Sequence, residues 1–459
     1  MLSPPDSIDN NKPDSIYSPH LPKPTGTVRW FIAGLLALAT TINYIDRSVL
    51  SFAMLDDAFR HDLLGLPANQ PLTSADVQRF KEQMGLIDSA FKWAYGLGFI
   101  LVSWLIDRVG TRRGFSLSIL VWSLAGMAVG FVRSVSGMAV ARFALGLGEA
   151  GNYPAAIKSV AEWFPRQERA LATGIFNSGA NIGIVLTAIG VPWLTLQYGW
   201  RSAFVVTGAL GLVVLILWLR FYRRPEEHPG LSADERAYIL SDPDPSITNT
   251  PAPSWFRLLT YRQTWAFVTG KVFSDPIWWF YLTWLPDFFT SNASFSQKLD
   301  LKTVGIPFLI IYLVSDLGNI VFGWLSSALL RRGWSPNRAR KTTMLLCSLC
   351  VLPVYFASVT ADYRIAIGLI ALATAAHQGF SVNNFTIISD VFPKQAIGSV
   401  VGIGGLFGAI VSGLFAVASG LLIARVGYLP LFIFASTGYL IALGIIHVLI
   451  PKLDRVEFR

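Results

Sequence analysis

The sequence has little charge. Only 14% of its 459 residues are Asp, Glu, Lys or Arg, where a soluble chain carries about a quarter. With 53% apolar residues and a mean hydropathy of +0.50, an ordinary soluble enzyme is excluded. Cysteine is also scarce. Cys347 and Cys350 are the only two, so there is no disulfide framework. They form CSLC inside an apolar stretch with no other soft ligand nearby, so they read as core packing and not as a zinc site. No metal-ligand cluster, nucleophile–His arrangement or phosphate loop is present, so neither enzyme chemistry nor a cofactor is expected. The first 25 residues lack a basic and then apolar leader, and their Pro, Ser and Asp content reads as a disordered tail. Net charge is +9, but the basic residues are scattered over short loops, which argues against nucleic acid as a partner.

What the chain has is apolar runs of about 20 residues, the length that crosses a bilayer. Twelve are counted, at roughly 28–54, 82–106, 113–133, 137–160, 168–195, 201–222, 263–290, 303–330, 341–360, 363–389, 395–423 and 428–450. The expectation is an all-α polytopic membrane protein. It divides into a tail (1–27), a six-helix half (28–222), a linker (223–262) with one short surface helix, a second six-helix half (263–451) and a tail (452–459). Arg108, Arg112, Arg113, Arg166, Arg169, Arg220, Arg223 and Arg224 crowd the loops on the side of the N-terminus, and Arg331, Arg332, Arg338, Arg340 and Lys341 do the same in the second half. The positive-inside bias therefore places both termini in the cytoplasm.

The halves repeat. Glu162–Gln167 reads EWFPRQ and Asp390–Gln395 reads DVFPKQ, 228 residues apart, each before a Gly-rich span. Two such halves put a binding site near mid-membrane between them, with access alternating as they rock.

Charges at membrane depth are costly and are functional candidates by default. The cations are Arg47, Lys92, Arg142 and Lys271; the acids are Asp46, Glu149, Asp275 and Asp316, with Asp88 nearer a span end. Arg142 and Glu149 are seven apart, two turns, on one helix face but about 10 Å apart along the axis. Arg47 has a guanidinium fork suited to a carboxylate, and its neighbour Asp46 projects about 100° away, a poor pair. Lys92 and Lys271 either face a ligand or pair with Asp88 and Asp275. Tyr44, Tyr95, Asn152, Asn177, Asn181, His377, Gln378 and Asn383 offer polar groups for hydroxyls, and Trp279 a flat face for a sugar ring; His377 alone also fits a satisfied core group.

SWLIDRVGTRR (Ser103–Arg113) resembles the signature loop of the major facilitator superfamily, with Ser103 in place of its first Gly. In that loop Asp107, Arg108 and Arg112 would latch helix ends and Gly110 would permit the turn. NYIDRSVLS (Asn43–Ser51), ARFALGLGEAGNYPAAIKSVAEWFP (Ala141–Pro165), KVFSDPIWWFYLTWLPDF (Lys271–Phe288) and AAHQGFSVNNFTIISDVFPKQAIGSVVGIGG (Ala375–Gly405) resemble the anion:cation symporter family, most of all bacterial hexuronate transporters. Asn384 departs from that pattern, where an apolar residue is expected. The resemblance implies a monomer in the bacterial inner membrane that imports galacturonate or glucuronate with protons. It makes Asp46 and Glu149 the proton-coupling acids and Arg47 the anion-binding residue, both neighbours of α-helical position 46–47 sitting in one hydrated cavity. Alternatives are another organic anion (aldonate, aldarate or aromatic carboxylate), exchange in place of symport, a purely structural role for Glu149 as partner of Arg47 or Arg142, and a non-transporting receptor.

Overall fold

The structure, a computed structural model, describes residues 26–240 and 254–456. Residues 1–25 of the tail expected over 1–27, the middle of the linker and the last three residues lie outside the described residues. The first half holds α1 (Val28–Ala53), α2 (Asp57–Leu64), α3 (Ser74–Val109), α4 (Thr111–Val129), α5 (Val135–Glu149), α6 (Asn152–Trp163), α7 (Arg166–Tyr198) and α8 (Trp200–Phe221). Between the halves lie α9 (Ala233–Leu240) and α10 (Trp255–Leu258), where the sequence suggests one helix. The second half holds α11 (Arg262–Ser291), α12 (Gly305–Arg331), α13 (Pro336–Val351), α14 (Tyr363–Val391), α15 (Lys394–Val426) and α16 (Leu429–Leu449). Among the described residues, nine helical segments are long and apolar enough to cross a membrane on their own. The remaining three expected spans are α4, α5 with α6, and α11, which are shorter, broken or carry more polar residues.

Proline explains where helices depart from the expected spans. The run 137–160 is two helices, because Pro154 has no N–H to give the carbonyl of Ala150, four residues back. The run 341–360 is α13 followed by a tighter turn of helix at Leu352–Ser358, set by Pro353. The second span reaches well beyond 82–106, to Ser74, because Thr73 and Asp76 form a reciprocal cap there. The helix α2 was not expected; Asp56 caps it and Gly65, at φ +69°, ends it.

Glycine sets which helices touch. A side-chain carbon on Gly179 or Gly183 would lie 2.4 or 2.5 Å from the carbonyls of Ala37 or Thr41, so α7 packs backbone-close on α1. The equivalent pair in the second half is α15 on α11, where a carbon on Gly408 would strike the Asp275 carboxylate at 2.5 Å. Each half thus has a helix ending in the Glu–x–Phe–Pro or Asp–x–Phe–Pro corner, then a Gly-rich helix laid against the first helix of its own half.

The start of α1 and the end of α16 lie at one end of the bundle, here the terminus end. Among the described residues, the polar contacts between the halves lie at mid-depth or toward the far end. At mid-depth Trp93 Nε1 donates to the Ile410 carbonyl (3.2 Å) and Asn181 Nδ2 donates to Asp316. Toward the far end the Ser51 hydroxyl donates to the Leu282 carbonyl (2.8 Å), and Asp287 collects Lys81 (3.1 Å), Arg60 (3.7 Å), the Ser291 hydroxyl (3.0 Å) and the Tyr428 hydroxyl. There too α3 and α15 nearly touch: a carbon on Gly85 would lie 2.7 Å from the Ala416 carbonyl.

Candidate functional site

Arg47 sits between the halves at mid-depth. Its Nε donates to Glu149 Oε2 at 2.8 Å and its Nη2 to Asn43 Oδ1 at 3.3 Å. Four rings surround the guanidinium, with centroids 4.5 Å (Tyr44), 4.8 Å (Tyr95), 5.2 Å (Trp279) and 5.8 Å (Phe91) away. Such contacts are worth about 2 kcal/mol or more each when water is excluded. Tyr44, Tyr95 and Phe91 come from the same half as Arg47; Trp279 comes from α11 of the other, so the cage exists only while the halves meet here.

On the terminus side of Arg47 a cavity of about 210 Å³ is lined by Tyr44, Arg47, Tyr95, Lys271, Asp275 and Trp279, with Phe385 and Val401 toward its mouth. Lys271 stands on the second half's wall, 2.8 Å from Asp275 one turn along α11. On the other side of Trp279 a void of about 10 Å³, room for roughly one water, is lined by Arg47, Asp88 and Arg142. Small residues make the larger cavity: Gly96, Gly405 and Ala409 line it where α3 meets α15.

Behind Arg47 lies a dense set of charges. Glu149 is 0% exposed, and its second oxygen has no hydrogen-bond partner. Arg142 stacks on Phe91 at 4.4 Å and leaves Nε and Nη1 unbonded. Lys92 pairs with Asp88 at 2.5 Å and lies 5.5 Å from the Trp279 ring. An unpaired buried charge is expensive, so this set is held by mutual neutralisation and not by lipid.

The structure brings together Tyr44, Arg47, Lys92, Tyr95, Arg142, Glu149, Lys271 and Trp279 from the candidates named on sequence. It places Asp46 elsewhere. Asp46 is 2% exposed and turned toward Gly126 of α4 and Thr207 of α8. The expectation that Asp46 and Arg47 share one cavity is corrected: neighbours on a helix point about 100° apart, so when Arg47 faces the other half Asp46 faces the interior of its own. Asn152 donates to Thr40, Asn177 accepts from Tyr153, and Asn181 bonds Asp316. His377 accepts or donates at Tyr439 (2.6 Å) and stacks on Trp278 (4.9 Å), inside the second half. Asn383 bonds the Gly379 carbonyl on its own helix, and Gln378 lies half-buried away from the cavity wall. In the signature loop, Asp107 takes Lys158 (2.7 Å), Arg108 stacks on Trp104, Arg112 donates to the Leu219 carbonyl and Gly110 adopts φ +86°.

Sequence reasoning omitted Asp275 from the binding set, although its four-residue spacing from Lys271 signals the pair. It also omitted Phe91 and Tyr153; nothing local marks these rings, since their role depends on a helix far along the chain.

A bundle of long apolar helices in two similar groups, closed at one end around a charged central cavity, defines a membrane transporter and not an enzyme. The chain matches the Major Facilitator Superfamily over residues 36–417, and it belongs to that family. It is 29% identical over 449 residues to the "Probable galactarate/D-glucarate transporter GarP" of Escherichia coli (strain K12), covering 94% of this chain and 96% of that one. It is 28% identical over 409 residues to the "Hexuronate transporter" of the same strain, covering 88% and 90%. In fold it is similar to a bacterial homologue of the human lysosomal transporter Spinster in an inward-facing, unoccupied conformation, at TM-score 0.65, 19% identity and 93% and 96% coverage.

Proposed function

We propose that this protein is a proton-coupled symporter of sugar acids, hexuronates such as galacturonate or glucuronate, working by alternating access as a monomer. Both termini are cytoplasmic by the basic-residue bias, and the membrane is the bacterial inner membrane. The central cavity then faces the cytoplasm.

The observation that carries this reading is the Arg47–Glu149 pair at the head of the cavity, 2.8 Å apart. A guanidinium already neutralised by a carboxylate has little left for a second one. When Glu149 takes a proton, Arg47 loses that partner, and the substrate carboxylate takes its place. Proton and substrate therefore favour each other's binding by the same factor. Tyr44 and Tyr95 offer hydroxyls beside Arg47, and Trp279 offers a face for the sugar ring. Asp46, buried between α1, α4 and α8 beside Thr207, is the second proton carrier; it is coupled through its charge to Glu149 and Arg142 behind Arg47.

The test is uptake of labelled galacturonate into proteoliposomes under an inward proton gradient. Wild type accumulates substrate; Glu149→Gln, a permanent mimic of the protonated acid, loses gradient-driven accumulation and keeps counterflow exchange. Uptake indifferent to the gradient in wild type would falsify the coupling.

One observation favours a second cargo. Lys271 faces the same cavity from the opposite half. Two cations on opposing walls suit an acid with two carboxylates, and a galactarate/glucarate transporter is among the relatives.

A further inference from the structure

We propose a second anion site, unrelated to transport, that holds the phosphate headgroup of an anionic phospholipid. It is a groove of about 430 Å³ where α3 ends, α4 begins and α8 ends, lined by Gly110, Thr111, Arg112, Arg113, Leu219 and Arg224. Three guanidinium groups converge there. Arg112 gives Nη2 to the Leu219 carbonyl (2.5 Å), while its Nε is buried with no partner. Arg113 and Arg224 are exposed and make no ion pair among the described residues, and Glu227 at the rim pairs with neither. Of the other acids nearby, Asp107 is taken by Lys158, and Glu162 accepts from the Thr111 and Tyr222 hydroxyls.

The corresponding corner of the second half is filled by the chain itself. There Lys341 Nζ donates to the carbonyls of Ile450 (2.5 Å) and Pro451 (2.9 Å), and the following residues fold back so that Val456 N–H meets the Val391 carbonyl (2.9 Å). After α8 the chain turns away through Arg224 and Pro225, so the first-half corner stays open and its cations face outward.

The occupant is a lipid because of what flanks the groove. Val109 (39% exposed), Trp104 (56%), Leu219 (44%) and Phe221 (37%) continue it down the outer surface of the bundle, where acyl chains lie. Arginine forks match phosphate oxygens, and basic pockets at the membrane boundary recruit anionic headgroups. A soluble phosphate would use the cations and leave the apolar flank unused.

The experiment measures lipid retained by the purified full-length protein in native mass spectrometry, with phosphatidylglycerol and phosphatidylcholine as probes. Wild type retains phosphatidylglycerol selectively. Arg113→Gln with Arg224→Gln weakens retention roughly 25-fold, about fivefold for each arginine near the surface. The single variants each lose roughly fivefold, which serves if the double variant does not fold. Arg331→Gln with Arg332→Gln removes equal charge from the same end of the second half and leaves retention unchanged. Equal loss in both double variants would mean a diffuse basic surface and would overturn the site. Displacement of the lipid by excess inorganic phosphate would assign the groove to a soluble anion and overturn it equally. Neither Arg113 nor Arg224 touches the central cavity, so transport in phosphatidylcholine vesicles is the control for folding.

Discussion

At the scale of the residue, three ion pairs organise the charges at depth: Lys92–Asp88 and Lys271–Asp275, each within one helix, and Arg47–Glu149, between two. A hydrocarbon core tolerates ionisable groups only where they are neutralised or wet, which is why Arg47, Glu149, Arg142, Lys92 and Lys271 stand out from an apolar sequence. Which of them meet depends on residues up to 102 positions apart, as Arg47 and Glu149 are. The cage around Arg47 likewise draws Trp279 from the other half. The prediction at this scale concerns Lys271. Lys271→Gln raises the KM for an aldarate more than for a uronate, by roughly 10-fold or more, since a hydrogen bond to a charged group is worth about 1.5–3 kcal/mol. Competition of galactarate and galacturonate against one labelled substrate reads the difference. Equal effects on both acids would leave Lys271 a partner of Asp275 only.

At the scale of the element, spans were visible as apolar length, and breaks as proline. Among the described residues, nine of the twelve expected spans are helical segments long and apolar enough to cross alone, because a helix satisfies its own backbone in lipid, whatever its neighbours. The short α2 was not legible, since its stripe of Phe59 and Leu63 is one turn long and its partners Phe80 and Trp200 lie on other helices; a cap and Asp62 also hold it. Asp62 accepts from Arg201 (2.6 Å) and Trp200 (2.9 Å), tying α2 to the start of α8. Burial raises its pKa, but these two bonds outweigh that and hold it below the usual carboxylate value. A depressed value means the tie is complete above the ordinary pKa, near 4, and is lost as pH falls through the lower folded value. The effect is small, because both side chains are more than a third exposed. Limited proteolysis of the α2 segment should therefore quicken modestly in acid in wild type, and Asp62→Asn should be equally sensitive at all pH values. Glycine governs the other contact. Gly85→Leu drives a side chain into the Ala416 carbonyl, where a mere carbon would sit at 2.7 Å. Overpacking costs about 1–3 kcal/mol, so closure of the far end falls roughly 5- to 150-fold. A cysteine placed at Thr283, beyond Trp279, should react correspondingly faster with a membrane-impermeant thiol reagent added from the far side.

At the scale of the whole molecule, the repeat announced two halves, and the structure gives its corners matching bonds. Glu162 accepts from Thr111 (2.7 Å) and Asp390 from Arg340 (3.1 Å), each joining the end of a half's fourth helical span to the start of its third. The far end is held by Asp287, 2% exposed, which receives Lys81 and Arg60 from one half and Tyr428 from the other. Asp287→Asn leaves two cations without their counter-charge. Breaking a buried pair costs about 3–5 kcal/mol, enough to move a two-state equilibrium by more than a hundredfold. Spin labels on the far ends of α3 and α15 should then report a wider separation than in wild type. An unchanged distance would mean that the glycine contact alone keeps that end closed.

The sequence by itself determined that this chain spans a membrane many times, that its two halves are related, and which charges lie at depth. Each of those follows from local chemistry: apolar length, repeated corners and the cost of a charge in lipid. Only the tertiary structure decided that Arg47 faces Glu149, that Asp46 faces away from the cavity, and that the bundle is closed around Asp287 and open toward its termini. These rest on contacts between distant segments. No periodicity in a single chain records which distant segments meet.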